Sequence, residues 1–248
     1  MEIIIHGCNG KMGKAVAKAA QNYDGCNVIA GVDKDISQDH QFPVFKSLNE
    51  INNRHGIIID FSHPSALDSI LNYVTKNHTP LVLCTTGYDD LQIQKIEGSS
   101  KYAPIFYSRN MSLGINLLIE LSKKAAKVLG KDFDIEIVEK HHNQKIDAPS
   151  GTAYMIAEEI SQTLSDKPKY VFDRSKSHHS RCNNEIGIHS IRGGTIPGDH
   201  DVIFAGNQEV ITLSHRAESR NVFAQGAVKA AIFIANQPAG LYSMKDMI

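Results

Sequence analysis

The chain has 248 residues, 26 Lys plus Arg against 27 Asp plus Glu, and 42% hydrophobic residues. A chain of this length buries a substantial core in one or two domains. Its near-neutral balance, without a basic run, gives no long-range attraction for nucleic acid or an anionic membrane, so any bound anion is held by locally placed groups.

Cys8, Cys26, Cys84 and Cys182 are scattered without Cys-x-x-Cys spacing. Neither a zinc site nor a disulfide framework is indicated, and all four are expected to be buried thiols in a reducing compartment. The amino terminus runs into "MEIIIHG" with no basic leader. No window reaches the ~18 apolar residues of a membrane span, so the expectation is a soluble cytoplasmic protein.

Short apolar runs then alternate with amphipathic segments: "EIIIHG", Lys11 to Ala20, "NVIAGVD", "GIIIDFS", Pro64 to Lys76, "PLVLCTT", Asp89 to Ile96 and "APIFYS". Strands without polar alternation, each followed by a helical pattern, predict an α/β fold: a doubly wound parallel sheet covered on both faces, with right-handed crossovers. After Asn110 the rhythm changes. A long helical stretch stops at Gly130, and "FDIEIVEK" reads as a strand. Ala153, Ile156, Ala157, Ile160 and Leu164 fall on one helical face. Tyr170 to Asn184 reads as polar and irregular, and "EIGIHSIRG", "DHDVIFAG" and "EVITLSH" as strands. This block predicts a second, α+β domain with an open mixed sheet. The last amphipathic run, Val222 to Asn236, is expected to return to the first domain. The expected division is 1–112 plus 221–248, and 113–220.

The motif "HGCNGKMG" sets Gly7, Gly10 and Gly13 between a strand and a helix. Glycines there let the backbone approach a pyrophosphate, and free N–H groups at the helix start face its charge. Asp33, closing the second strand, can accept hydrogen bonds from ribose hydroxyls, and Lys34 can meet a 2′-phosphate. The bland alternative is a glycine turn with a solvated acid. "CTTGY" (Cys84 to Tyr88) and "YSRNMS" (Tyr107 to Ser112) lie where later strands end, the side on which open α/β sheets bind ligands; each is also an ordinary loop composition.

The stretch "EKHHNQKIDAPSGTA", Glu139 to Ala153, concentrates proton carriers beside a helix start. Neighbouring strand residues point to opposite faces, so His141 and His142 cannot aim at one point while the strand lasts, which weakens a zinc reading. Ser150 is a helix N-cap candidate. Gly151 and Thr152 would then present N–H groups and a hydroxyl to a carboxylate or phosphate. Four positions separate His141 from Lys145, close enough for one loop to bring them together. His178 and His179 read as solvated loop residues.

"GxxGxMG" near residue 10, "CTTGY", "SRNMS", "HHNQKIDAPSGTA", "SIRGGTIPGDH" and "SHRAESR" together resemble the 4-hydroxy-tetrahydrodipicolinate reductase (dihydrodipicolinate reductase) family of lysine and diaminopimelate biosynthesis, over nearly the whole chain. The resemblance implies a Rossmann-like dinucleotide-binding domain, and a second domain for substrate binding and oligomerisation. It implies His141 as catalytic proton donor and acceptor and Lys145 as proton donor. His142, Ser150, Gly151 and Thr152 would contact a dicarboxylate substrate. Cofactor positions carry over to Gly7, Cys8, Asn9, Gly10, Lys11, Met12, Asp33, Lys34, Cys84, Thr85, Thr86, Ser108, Arg109, Asn110 and Met111. NADH, NADPH or both would serve, with no metal, in a homotetramer joined through the second domain's sheet. The stretch after Asp33, "KDISQDHQFPVF", is shorter than in many family members, leaving the choice between NADH and NADPH open. Reaction would need the two lobes to close, with a hinge between them. The competing readings are another two-domain NAD(P)-dependent oxidoreductase and a dinucleotide-sensing protein without chemistry.

Overall fold

The computed structural model describes residues 1–37, 40–51, 55–175 and 178–248. Part of the stretch after Asp33 and of the segment from Tyr170 to Asn184 thus lies outside the described residues. In chain order the elements are β1 (Glu2–His6), α1 (Lys11–Ala20), β2 (Asn27–Val32), β3 (Val44–Phe45), β4 (Ile57–Asp60), α2 (Leu67–Asn77), β5 (Leu81–Leu83), α3 (Asp90–Ser99), β6 (Pro104–Tyr107), α4 (Leu113–Leu129), β7 (Asp134–His141), α5 (Gly151–Ser161), β8 (Lys169–Val171), β9 (Glu185–Arg192), β10 (Gly198–Ala205), β11 (Val210–Ala217), α6 (Asn221–Ile234) and β12 (Gly240–Tyr242). The chain divides into two compact units, Met1–Leu113 with Arg220–Ile248, and Gly114–Ser219.

The first unit holds a seven-stranded sheet in the order β12-β6-β5-β4-β1-β2-β3, with every pair parallel. Its apolar runs have no polar alternation because both faces are covered. Ile3 and Ile5 pack with Val16 of α1 and Ala227 and Ala231 of α6, whereas Ile4 and Ile58 pack on the opposite side with Leu67 and Ile70 of α2 and Ile96 of α3. This is the expected doubly wound sheet, extended by two edge strands, β3 and β12.

The second unit is a five-stranded mixed sheet, β11-β10-β7-β9-β8, antiparallel on either side of β10 and parallel from β7 to β8. Here alternation is visible. Ile135 and Ile137 of β7, Ile186 and Ile188 of β9, and Val202 and Phe204 of β10 face the core formed with α4 and α5. The opposite face carries charges such as Lys140 paired with Asp201 at 2.9 Å. The segment read as irregular from Tyr170 includes part of β8, a three-residue edge strand held by backbone pairing to β9, too short to carry a hydrophobic period. The expectation of four buried thiols also needs correction: Cys8 and Cys84 are buried, Cys26 is half-buried and Cys182 is exposed, because Cys182 lies in the polar loop before β9 and not in a packed element. No helix among the described residues is long and apolar enough to cross a membrane.

Candidate active site

In the first unit the ends of β1, β2, β4 and β5 build a cradle. Gly7 turns with φ +81°, a conformation open to glycine at no steric cost. A Cβ on Gly13 would stand 2.2 Å from the Gly7 carbonyl oxygen and 2.6 Å from the Cys8 Cα, so helix and turn touch backbone to backbone. Gly10 caps α1 without a side-chain hydrogen bond, which leaves the first N–H groups of the helix for a ligand. Asp33 follows β2, and its carboxylate accepts from the backbone N–H of Asn9 at 3.0 Å and of Lys34 at 2.8 Å. The acid thereby ties the glycine turn to the second strand, while its remaining lone pairs can accept ribose hydroxyls. These residues fit a dinucleotide. Cys8 is buried, and burial followed by the charge of Asp33 pushes its thiol up to about 11. It packs as a small apolar group, with its backbone bordering the turn.

Asp60 at the end of β4 is a buried carboxylate that the sequence reading passed over. It accepts from Ser62 and from Thr85 Oγ1 at 2.6 Å, and bonds His6 Nδ1 at 2.9 Å. The loops after β1, β4 and β5 are thus laced to one group. Phe61, Ser62, His63, Cys84, Thr85 and Thr86 line a cavity of about 400 Å³ beside it. Burial, then Asp60, raises the Cys84 thiol well above its ordinary value. After β6, Ser108 and Asn110 form a closed turn: Ser108 Oγ donates to the Asn110 carbonyl, and Asn110 Oδ1 accepts from the Ser112 N–H at 2.8 Å. Met111 is buried behind it and Arg109 is exposed.

In the second unit the polar residues continue the core faces of three strands. Glu139 and His141 extend the inward row of Ile135 and Ile137 on β7, Arg192 extends that of Ile186 and Ile188 on β9, and His200 precedes Val202 and Phe204 on β10. The register sets His141 opposite Arg192, and His200 opposite Glu139. Glu139 is fully buried. Its carboxylate bonds His141 Nδ1 at 2.6 Å and accepts from Arg192 through both oxygens at 2.8 and 2.7 Å, and from the Ser150 N–H at 3.1 Å. Burial pushes its carboxyl upward, but the hydrogen bonds from His141, Arg192 and Ser190 outweigh this and hold it well below the usual carboxylate range.

Ser150 caps α5, its Oγ accepting from the Ala153 N–H at 3.1 Å and lying 3.2 Å from His200 Nε2. Its polar atoms are thus taken up within the fold; beside it at the helix start, Gly151 is exposed and Thr152 half-buried. His200 is buried, and burial followed by His141 pushes its imidazole down to about 3. The two rings meet edge-on, with centroids 5.3 Å apart.

The loop from β7 to α5 turns on a bond from the Lys145 N–H to the His142 carbonyl at 3.1 Å, and is joined to the loop after β9 by Gly193 N–H to the His141 carbonyl at 2.9 Å and by Asn143 N–H to that of Gly194. Lys145 Nζ pairs with Asp147 at 2.7 Å. His141, His142, Lys145, Ser150, Gly151 and Thr152 therefore belong to one strand end, loop and helix start. His178 and His179 lie exposed on another loop. Among the described residues no group of three or more His, Cys, Asp or Glu side chains could hold a metal. Arg192, His200 and Asp60 were missed because their partners lie tens of residues away in the chain. Glu139 carried a readable signal, since it shares the odd-numbered face of β7 with His141.

Comparison with known proteins agrees over the full chain. Residues 1–111 match the family model for the N-terminus of dihydrodipicolinate reductase and residues 114–248 the model for its C-terminus. A 4-hydroxy-tetrahydrodipicolinate reductase of Caldanaerobacter subterraneus subsp. tengcongensis is 53% identical over 100% of this chain and 98% of its own. One from Clostridium tetani is 48% identical over 100% and 97%. In fold, the chain is similar to a dipicolinate-bound dihydrodipicolinate reductase from Paenisporosarcina sp. TG-14, with TM-score 0.81, 24% identity and coverage of 100% and 99%. A myo-inositol dehydrogenase from Corynebacterium glutamicum shares the fold at TM-score 0.61 and 15% identity, over 97% of this chain and 90% of that one.

Proposed function

The chain belongs to the dihydrodipicolinate reductase family and carries its 4-hydroxy-tetrahydrodipicolinate reductase activity in lysine biosynthesis; from that premise we propose that the loop between β7 and α5 grips the ring dicarboxylate and protonates it. One observation supports this most: a single short segment holds His141, Lys145 and an anion-ready helix start, braced from below by buried Glu139. NADH or NADPH supplies the hydride when bound. The Gly7 to Met12 turn with Asp33 and Lys34 holds the dinucleotide, and the loops Cys84 to Thr86 and Ser108 to Met111 border it.

Once the 4-hydroxyl has left as water, hydride delivered to carbon 4 of the conjugated ring leaves an electron pair that must be protonated at a neighbouring atom. Lys145 and His141 give that proton. General acids of this kind contribute about 10²–10⁴-fold, or roughly 3–5 kcal/mol. The N–H groups of Gly151 and Thr152 at the positive end of α5, with His142 and the Lys145 ammonium, oppose the two carboxylates. The chain works as a homotetramer and accepts either cofactor, Lys34 standing where it can face a 2′-phosphate. The exposed Val210 and Ile211 of β11 favour self-association through the second unit's sheet.

The test is absorbance at 340 nm with aldolase-generated substrate and each cofactor in turn. Cofactor oxidation that depends on substrate supports the assignment; binding of NADH without oxidation would support a sensing protein instead.

A further inference from the structure

The carboxylate of Glu139 is surrounded by donors from His141, Arg192, Ser150 and Ser190, and three of the donor atoms cannot exchange that role. The two Arg192 nitrogens and the Ser150 backbone nitrogen only donate. The Ser190 hydroxyl can turn either way, and His141 Nδ1 lies 2.6 Å from Oε2. A carboxylate ionised in this setting has no proton to give, so the hydrogen between the two groups belongs to Nδ1. The other ring nitrogen, Nε2, is then the one that can gain or lose a proton. Beside it stands Gly198, where a Cβ would come within 3.0 Å of Nε2, so glycine leaves that nitrogen room that any other residue would crowd.

We propose that Glu139 is a positioning residue for the reduction: clamped by Arg192 and tied to the Ser150 N–H, it fixes His141 as the Nδ1–H tautomer and presents Nε2 for proton exchange. This rests on the reading of His141 as a proton carrier. Glu139 bonds both the imidazole and the first turn of α5, so the acid that would protonate the ring and the helix start that would hold its carboxylate share one support.

Glu139→Gln discriminates this from a merely structural role. An amide has one acceptor oxygen where the carboxylate has two. The Oε1 position faces two fixed donors, Arg192 and Ser150, and so retains the oxygen. The amide NH₂ then takes the Oε2 position between Arg192 Nη1, which cannot accept, and His141, whose ring can, and drives the His141 proton to Nε2.

The experiment is long-range ¹H–¹⁵N NMR on the full-length protein labelled at histidine, with the His141 signals identified by their loss in His141→Gln, alongside steady-state kinetics. In the wild type, neutral His141 should carry its proton on Nδ1. Glu139→Gln should move it to Nε2 and lower kcat by at least about tenfold, the scale of losing a partner that fixes a histidine tautomer, while substrate KM changes less than threefold by the same reasoning. A wild-type proton on Nε2, or turnover by Glu139→Gln within about twofold of wild type, would overturn the proposal. If Glu139→Gln does not fold, the wild-type spectrum decides alone. Full turnover by His141→Gln would instead sink the reading of His141 itself, which separates the two failures.

Discussion

Lys145 Nζ lies 2.7 Å from Asp147 Oδ1, an ion pair made within the loop that bears both residues. The Asp147 side chain is 56% exposed against 21% for Lys145, so solvent weakens the pair to about 0.2–1 kcal/mol. A substrate carboxylate must compete with it. Asp147→Asn should therefore lower substrate KM by up to about fivefold, with kcat nearly unchanged, in steady-state assays. A kcat loss beyond about tenfold would show that Asp147 aims the lysine rather than merely occupying it.

Ser150→Ala removes the acceptor of the Ala153 N–H and the partner of His200 together. Loss of a helix cap costs about 1 kcal/mol, and an orphaned buried imidazole nitrogen adds a similar amount. Denaturant titration should show a drop of about 2 kcal/mol in the second unit with NADH affinity unchanged. Unaltered stability would mean that the hydroxyl does not support α5.

The depressed His200 imidazole links stability to pH. Its pKa falls from 6.5 to about 3 on folding, so the unfolded chain takes up a proton there that the folded chain refuses. Its contribution is fully present above pH 6.5 and is lost as pH falls towards 3. His215 shifts in the same direction, so the informative comparison is with His200→Gln. That variant should show a flatter stability profile between pH 6.5 and 4.5, above the range where carboxylates such as Glu139, with its ordinary value of 4.5, begin to contribute. Parallel profiles would contradict buried, neutral His200.

Gly13→Ala forces a methyl group against the Gly7 carbonyl oxygen and the Cys8 Cα, both backbone. Neither yields by a rotamer change, so the turn itself must move. NADH affinity should fall by at least about tenfold as the cradle loses its close helix packing. An alanine variant that binds NADH normally would show that this glycine turn is not the dinucleotide site.

Much of the architecture was legible because the strands of the first unit are uninterrupted apolar runs and α1 spans the predicted residues Lys11–Ala20. Val44–Phe45, Lys169–Val171 and Gly240–Tyr242 were not, since an edge strand of two or three half-covered residues gains its order from a neighbour's backbone rather than its own period. The same distinction separates the site residues. His141, Lys145 and Ser150 stand within ten positions of one another and announce themselves together. Arg192 and His200 meet Glu139 through strand register, which no local pattern encodes.

Turnover and cofactor affinity measured side by side for wild type and Lys145→Ala test the central claim most directly. If that ammonium protonates the ring as hydride arrives, kcat should fall by at least about 10²-fold while the NADH dissociation constant stays within about twofold, because the lost interaction belongs to the transition state. A variant that turns over as fast as wild type would contradict the account.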